Sequence, residues 1–147
     1  MDFNFVTNRI AVGGYIPDTL AAMTLVEKFG ITHIINCQKE HDDWPVIKDT
    51  GLKYLHCPTD DDGIRKSLDW FGPGIEWGLK ALALPKTKLY VHCMAGINRG
   101  PSMAYAIIRA EGFSRQLARK LIKDARPEVG LVYREDADNA IKILGYE

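Results

Sequence analysis

The sequence predicts an α/β fold: a single domain over residues 1–147 with a mostly parallel central sheet flanked by helices on both faces. Three observations carry that expectation. Short apolar runs of strand length alternate with longer segments of helical apolar spacing, the pattern of strands joined by crossover helices. The chain has 147 residues, within the range of roughly 100–150 in which one domain buries one continuous core. No internal repeat, low-complexity tract or linker-like stretch divides it.

The elements follow in order. Asp18 is placed to cap a helix whose apolar positions Leu20, Met23, Leu25 and Val26 recur up to Phe29, and Gly30 is placed to end it. Ile31 to Asn36 reads as a buried strand. The polar stretch from Gln38 to Gly51 reads as a loop, with Glu40-His41-Asp42-Asp43-Trp44 as an acidic solvated portion, a part in selecting substrate being the alternative. A short strand, Lys53 to Cys57, leads to the acidic turn Thr59-Asp60-Asp61-Asp62-Gly63. Ser67 can cap the next helix, but Gly72, Pro73 and Gly74 predict a kinked or late-starting element before Ile75 to Leu84. Leu89 to His92 is a short apolar strand, Cys93 to Arg99 a loop, and Pro101 sits where a first helical turn tolerates a missing N–H. Two helices close the chain, one from Ser114 to about Ala125 and one from about Tyr133 to Leu144.

Composition excludes several classes of function. Nineteen basic residues against nineteen acidic ones give a net charge of zero, so the broad basic footprint of a nucleic-acid or membrane-surface binder is not expected. The N-terminal segment lacks the pattern of a signal peptide, no stretch is apolar enough to span a membrane, and the final KILGYE carries no prenylation box. Cys37, Cys57 and Cys93 lack the close pairing of a zinc site or a disulfide framework, so no metal is expected and a reducing cytoplasm fits.

Chemistry concentrates between Leu89 and Ser102. A cysteine six residues before an arginine is weak evidence alone, but here it joins a strand, a short loop and a helix start. Such a loop turns its backbone N–H groups inward, and with the helix dipole they form a site for a tetrahedral anion. The same field favours thiolate over thiol at Cys93. Arg99 adds a planar fork that can bond two phosphoryl oxygens at once.

The run His92-Cys93-Met94-Ala95-Gly96-Ile97-Asn98-Arg99 resembles the H-C-x-x-G-x-x-R signature of the protein tyrosine phosphatase superfamily, and the chain is similar to its dual-specificity branch. Ile10 to Tyr15, Ile31 to Asn36, Tyr54 to Pro58 and Arg126 to Gly130 extend the resemblance over nearly the whole chain. It implies the cysteine-phosphatase fold and phosphate monoester hydrolysis without cofactor, on a phosphorylated substrate that is expected to be a protein. Cys93 would be the nucleophile, Arg99 the phosphate ligand, Met94 to Asn98 the backbone cradle and His92 a residue orienting the loop. Asp61, 32 residues before Cys93 (93 − 61), would be the general acid, with Asp60 and Asp62 as neighbouring candidates.

Gly100 departs from the pattern, since relatives place Ser or Thr after the arginine to stabilise the departing thiolate. Phosphoenzyme breakdown is therefore expected to be slow, and a serine there is expected to fit as a helix cap. In R-G-P and D-D-G the chain partly resembles the phosphatases of regenerating liver, whose cysteine at the place of Cys37 can pair with the nucleophile; a small core residue is the alternative. Two other functions stay open: a phosphate-binding module with little turnover, and a thiol redox protein using Cys93 with Cys37. Phosphoinositide, phosphorylated glycan and RNA 5′ end also suit the loop chemistry.

Overall fold

The computed structural model describes residues 1–147. Eleven elements follow one another: β1 (Phe3–Phe5), β2 (Ile10–Gly13), α1 (Thr19–Phe29), β3 (His33–Gln38), α2 (Trp44–Ile47), β4 (Lys53–Thr59), α3 (Leu68–Leu82), β5 (Leu89–His92), α4 (Arg99–Ala110), α5 (Arg115–Ala125) and α6 (Arg134–Leu144). The sheet order is β1-β2-β5-β3-β4. The four strands from β2 to β4 run parallel, and only the edge pair β1–β2 is antiparallel. No helix is long and apolar enough to cross a membrane.

A parallel sheet covered on both faces needs strands that are apolar on both sides, and the central strands meet that need with period two. Ile10, Val12, Ile35, Leu89 and Val91 belong to one core, shared with α3 to α6. Ala11, Ile34 and Tyr90 belong to the other, with Ala22 and Leu25 of α1 and Ile47 of α2. Helix α4 is buried all along its length from Arg99 to Arg109, which explains why its apolar residues lie on every side.

Local signals set several boundaries as expected. Asp18 accepts the Ala21 N–H at 2.8 Å, and Gly30 ends α1 in the left-handed region at φ 73°. Ser114 accepts the Leu117 N–H at 3.1 Å. Other expectations need correction. The hairpin partner β1 and the short α2 carry no clear pattern in the sequence, β3 lies two residues later than read, and β4 continues to Thr59.

The largest correction concerns α3, which runs unbroken from Leu68 through Pro73 to Leu82. Its start is bound to β4 by a reciprocal pair: Trp70 Nε1 donates to the Cys57 carbonyl at 2.8 Å, and Cys57 Sγ donates to the Trp70 carbonyl at 3.3 Å. Burial of Trp70, Phe71, Ile75 and Leu82 offsets the bond that Pro73 cannot make. The glycines have a packing reason. A Cβ at Gly74 would lie 2.5 Å from the Met103 side chain and one at Gly78 would lie 2.8 Å from Ile107, so glycine lets α3 sit closely on α4.

Candidate active site

The Cys93–Arg99 loop joins the carboxyl end of β5 to the start of α4, at the sheet end where ligands of open α/β folds bind. Cys93 is 2% exposed. Gly96 takes φ +70°, and a Cβ there would stand 2.6 Å from both Arg126 Nη2 and the Gly13 backbone, so only glycine fits. The amides of Met94, Ala95, Gly96, Ile97 and Asn98 donate to no acceptor within the protein. A ring of unpaired N–H groups ahead of a helix N-terminus is an anion cradle.

Arg126, fully buried, holds the loop from behind. Its Nε donates to the Gly96 carbonyl at 2.8 Å and its Nη2 to the Ala95 carbonyl at 3.0 Å, while Asp2 receives both terminal nitrogens at 2.9 Å. These bonds occupy the Gly96 and Ala95 carbonyls, while the Met94 and Ile97 carbonyls accept the Tyr15 and Gly130 N–H groups.

Arg99 Nη1 donates to Glu40 Oε1 at 2.6 Å and to the Thr59 carbonyl at 2.8 Å, and Nη2 donates to Glu40 Oε2 at 2.8 Å. The end-on edge of the guanidinium is thus filled by Glu40. Nε is buried without a partner, which leaves the side-on edge of Nε and Nη2 for a ligand's two oxygens. The paired Arg99 guanidinium holds the Glu40 carboxyl down to about 2, and Glu40 in turn raises Arg99 above its ordinary value.

The loop from Glu40 to Trp44 is solvated as expected except at Asp43, and Glu40, though exposed, is tied to Arg99. Asp43 is buried with its Oδ2 2.5 Å from His92 Nε2, while His92 Nδ1 lies 3.2 Å from the Cys93 carbonyl. Both ring nitrogens of His92 are therefore occupied by the fold, which suits a residue that orients the loop. Tyr54 organises the segment by donating to Asp42 Oδ1 at 2.7 Å and accepting the Asp43 N–H at 3.0 Å. Partners distant in sequence draw Asp43 inward and engage Glu40 at the surface, and no local pattern reveals that.

The three acidic candidates have different surroundings. Asp60 pairs with Lys39 at 3.5 Å. Asp62 closes a turn, accepting the Ile64 N–H and the Lys66 ammonium at 3.0 Å each, and that turn N–H leads in holding its carboxyl below the ordinary range. Asp61 accepts one bond, from the Tyr133 hydroxyl at 2.9 Å to Oδ1, and its charge helps keep Arg99 protonated.

Cys37 is fully buried near the end of β3, and burial pushes its thiol well above the ordinary value, with Cys57 and Cys93 near enough to add to the effect. All three cysteines are free. Gly100 differs from its expected place: Asn98 flanks the helix as its cap, and Gly100 is the second helical residue. A Cβ at Gly100 would meet the His92 carbonyl carbon at 3.0 Å and the Cys93 nitrogen at 3.1 Å. A serine there is accordingly not a free cap substitution, since the end of β5 must yield by a few tenths of an ångström. Ser102 Oγ, two residues on, is buried without a partner.

The fold and this loop define a cysteine-dependent phosphatase domain. A family model described as the catalytic domain of dual specificity phosphatases matches residues 15–132, and the chain belongs to that family. It is similar to human dual specificity protein phosphatase 8, with 30% identity over 106 residues; the match spans 71% of this chain and 16% of that protein's length. In fold it is similar to a mouse putative dual specificity phosphatase complexed with zinc tungstate, at TM-score 0.79 and 21% identity over 98% of this chain and 91% of that one. It is also similar to PTPMT1 in complex with PI(5)P, at TM-score 0.78 and 21% identity over 97% and 98%.

Proposed function

We propose that this chain hydrolyses phosphate monoesters through a cysteinyl-phosphate intermediate. The observation that carries the reading is the pairing of unbonded loop amides with the unpartnered side-on edge of Arg99 around Cys93. In the first step Cys93 Sγ attacks phosphorus and the bond to the ester oxygen breaks, with Asp61 giving its proton to that oxygen. In the second, water attacks phosphorus, Asp61 takes the water's proton, and the sulfur–phosphorus bond breaks to return the thiolate. Arg99 and the amides hold the equatorial oxygens where charge is spread in both transition states.

The side chains of Met94, Ala95, Ile97 and Asn98 are uncharged, and Lys39 and Lys66 are paired with Asp60 and Asp62. Arg99 is then the one cation offered to the ligand by the loop. One cation suits a single phosphate monoester, as on a phosphorylated protein side chain, better than a headgroup bearing several phosphates.

Asp61→Asn is the direct test of the acid. It is expected to lower kcat by on the order of 10²–10⁴ for alkyl phosphates, which need a proton on the leaving oxygen, and much less for activated aryl phosphates. Equal losses on both would remove Asp61 from the role.

A binding module with little turnover is the second reading, favoured by Gly100, which offers no hydroxyl to the departing thiolate. One missing neutral hydrogen bond is worth about 1 kcal/mol, or roughly five- to tenfold in rate. Pre-steady-state assays should show a product burst followed by a slower phase, and Gly100→Ser should raise that slower phase relative to the burst, the burst itself falling if the end of β5 shifts Cys93. Absence of a burst would place the slow step before phosphoenzyme formation.

A further inference from the structure

The acidic loop is bound at several points to the start of α6. The Tyr133 hydroxyl donates to Asp61 Oδ1 at 2.9 Å and accepts the Gly63 N–H at 3.0 Å. Asp136 Oδ2 accepts the Lys66 N–H at 2.9 Å, and Asp136 Oδ1 takes Arg65 Nε at 3.2 Å. Lys66 Nζ stands 4.9 Å from the centre of the Tyr133 ring and donates to the Asp60 carbonyl at 2.7 Å. Tyr133 is only 1% exposed and packs in the main core cluster, so its ring is anchored there.

A phenol has one proton to give. With the Gly63 amide donating to the hydroxyl oxygen, that proton is directed to Asp61 Oδ1. Asp61 Oδ2 bonds to nothing within the fold.

We propose that Tyr133 is a positioning residue for the general acid, holding Asp61 Oδ1 so that Oδ2 carries the proton delivered to the leaving oxygen. The proposal rests on the reading of Asp61 as the acid. Its physical basis is the rotational freedom of an exposed carboxyl: a side chain fixed at one oxygen by a buried donor reaches the leaving group without first having to be ordered. Burial, foremost, raises the Tyr133 phenol above its ordinary value, so the donor keeps its proton across the neutral range.

Tyr133→Phe keeps the ring and its contact with Lys66 and removes the hydroxyl alone. On an alkyl phosphate kcat is expected to fall by on the order of tenfold with KM nearly constant, and on an activated aryl phosphate it should change by less than about twofold. The ratio of the two kcat values does not depend on the folded fraction, so a loss of stability cannot imitate the effect. In an Asp61→Asn background, Tyr133→Phe should add no further loss on the alkyl substrate, because both changes act on one proton transfer. Equal losses on both substrates in Tyr133→Phe, or a full tenfold loss added to Asp61→Asn, would overturn the positioning role. If Asp61→Asn instead slows both substrates alike, the assignment of the acid itself falls and takes this proposal with it.

Discussion

Replacing Cys93 with serine is expected to reduce turnover by on the order of 10⁴-fold or more while binding of inorganic phosphate or tungstate changes little. The two outcomes separate because two sets of atoms are involved. Removing a covalent nucleophile commonly costs that much, since the remaining groups cannot form the intermediate. The anion is held instead by the amides from Met94 to Asn98 and by Arg99, and the substitution leaves these in place. Cys93 sits at 2% exposure between β5 and the loop, and serine is slightly smaller, so the cradle keeps its shape. Steady-state hydrolysis of an aryl phosphate, with calorimetric titration of phosphate, reads both quantities. Turnover comparable to the unmodified protein would refute Cys93 as the nucleophile, and loss of phosphate binding would show that the loop had collapsed.

Arg99→Lys is expected to lower kcat/KM by on the order of 10²–10³, the loss typical when one preorganised donor to a developing oxyanion is removed. The arginine uses two edges at once, its end-on edge on Glu40 and its side-on edge turned to the ligand. An ammonium is a point charge and cannot hold both in fixed geometry. Stability should change little, because the Glu40 side chain is 41% exposed and water can take over its hydrogen bonds. The expected signature is therefore a large kinetic loss with a melting temperature only slightly lower. A nearly unchanged kcat/KM would exclude bidentate recognition by Arg99.

The sequence by itself determined the β5–loop–α4 unit, which carries the candidate nucleophile and phosphate ligand. The features that mark Cys93 to Arg99 as a candidate anion site are local: a four-residue apolar strand, a glycine at φ +70°, and a helix that starts at the arginine. The caps of α1 and α5 are legible for the same reason, since an N-cap side chain bonds an amide three residues away. β3 and β5 are likewise legible as short apolar runs, because strands of a sheet buried on both faces have to be apolar on both.

Only the tertiary structure decided which acids serve the site and which glycines serve the packing. Glu40 lies 59 residues from Arg99, Asp43 lies 49 from His92, Arg126 lies 30 from Gly96, and Tyr133 lies 72 from Asp61. None of these pairs leaves a periodic trace, since each depends on the sheet order bringing the ends of β3, β4 and β5 together beside the start of α6. The acidic loop after β3 gives no sign of the roles of Glu40 and Asp43 because both acquire their partners only when β3 lies against β5. Pro73 with Gly72 and Gly74 looks like a helix break because the cost is local. The compensation comes from Trp70 bonded to Cys57 and from α4 packed where a Cβ on α3 would clash, and both form between segments distant in the chain.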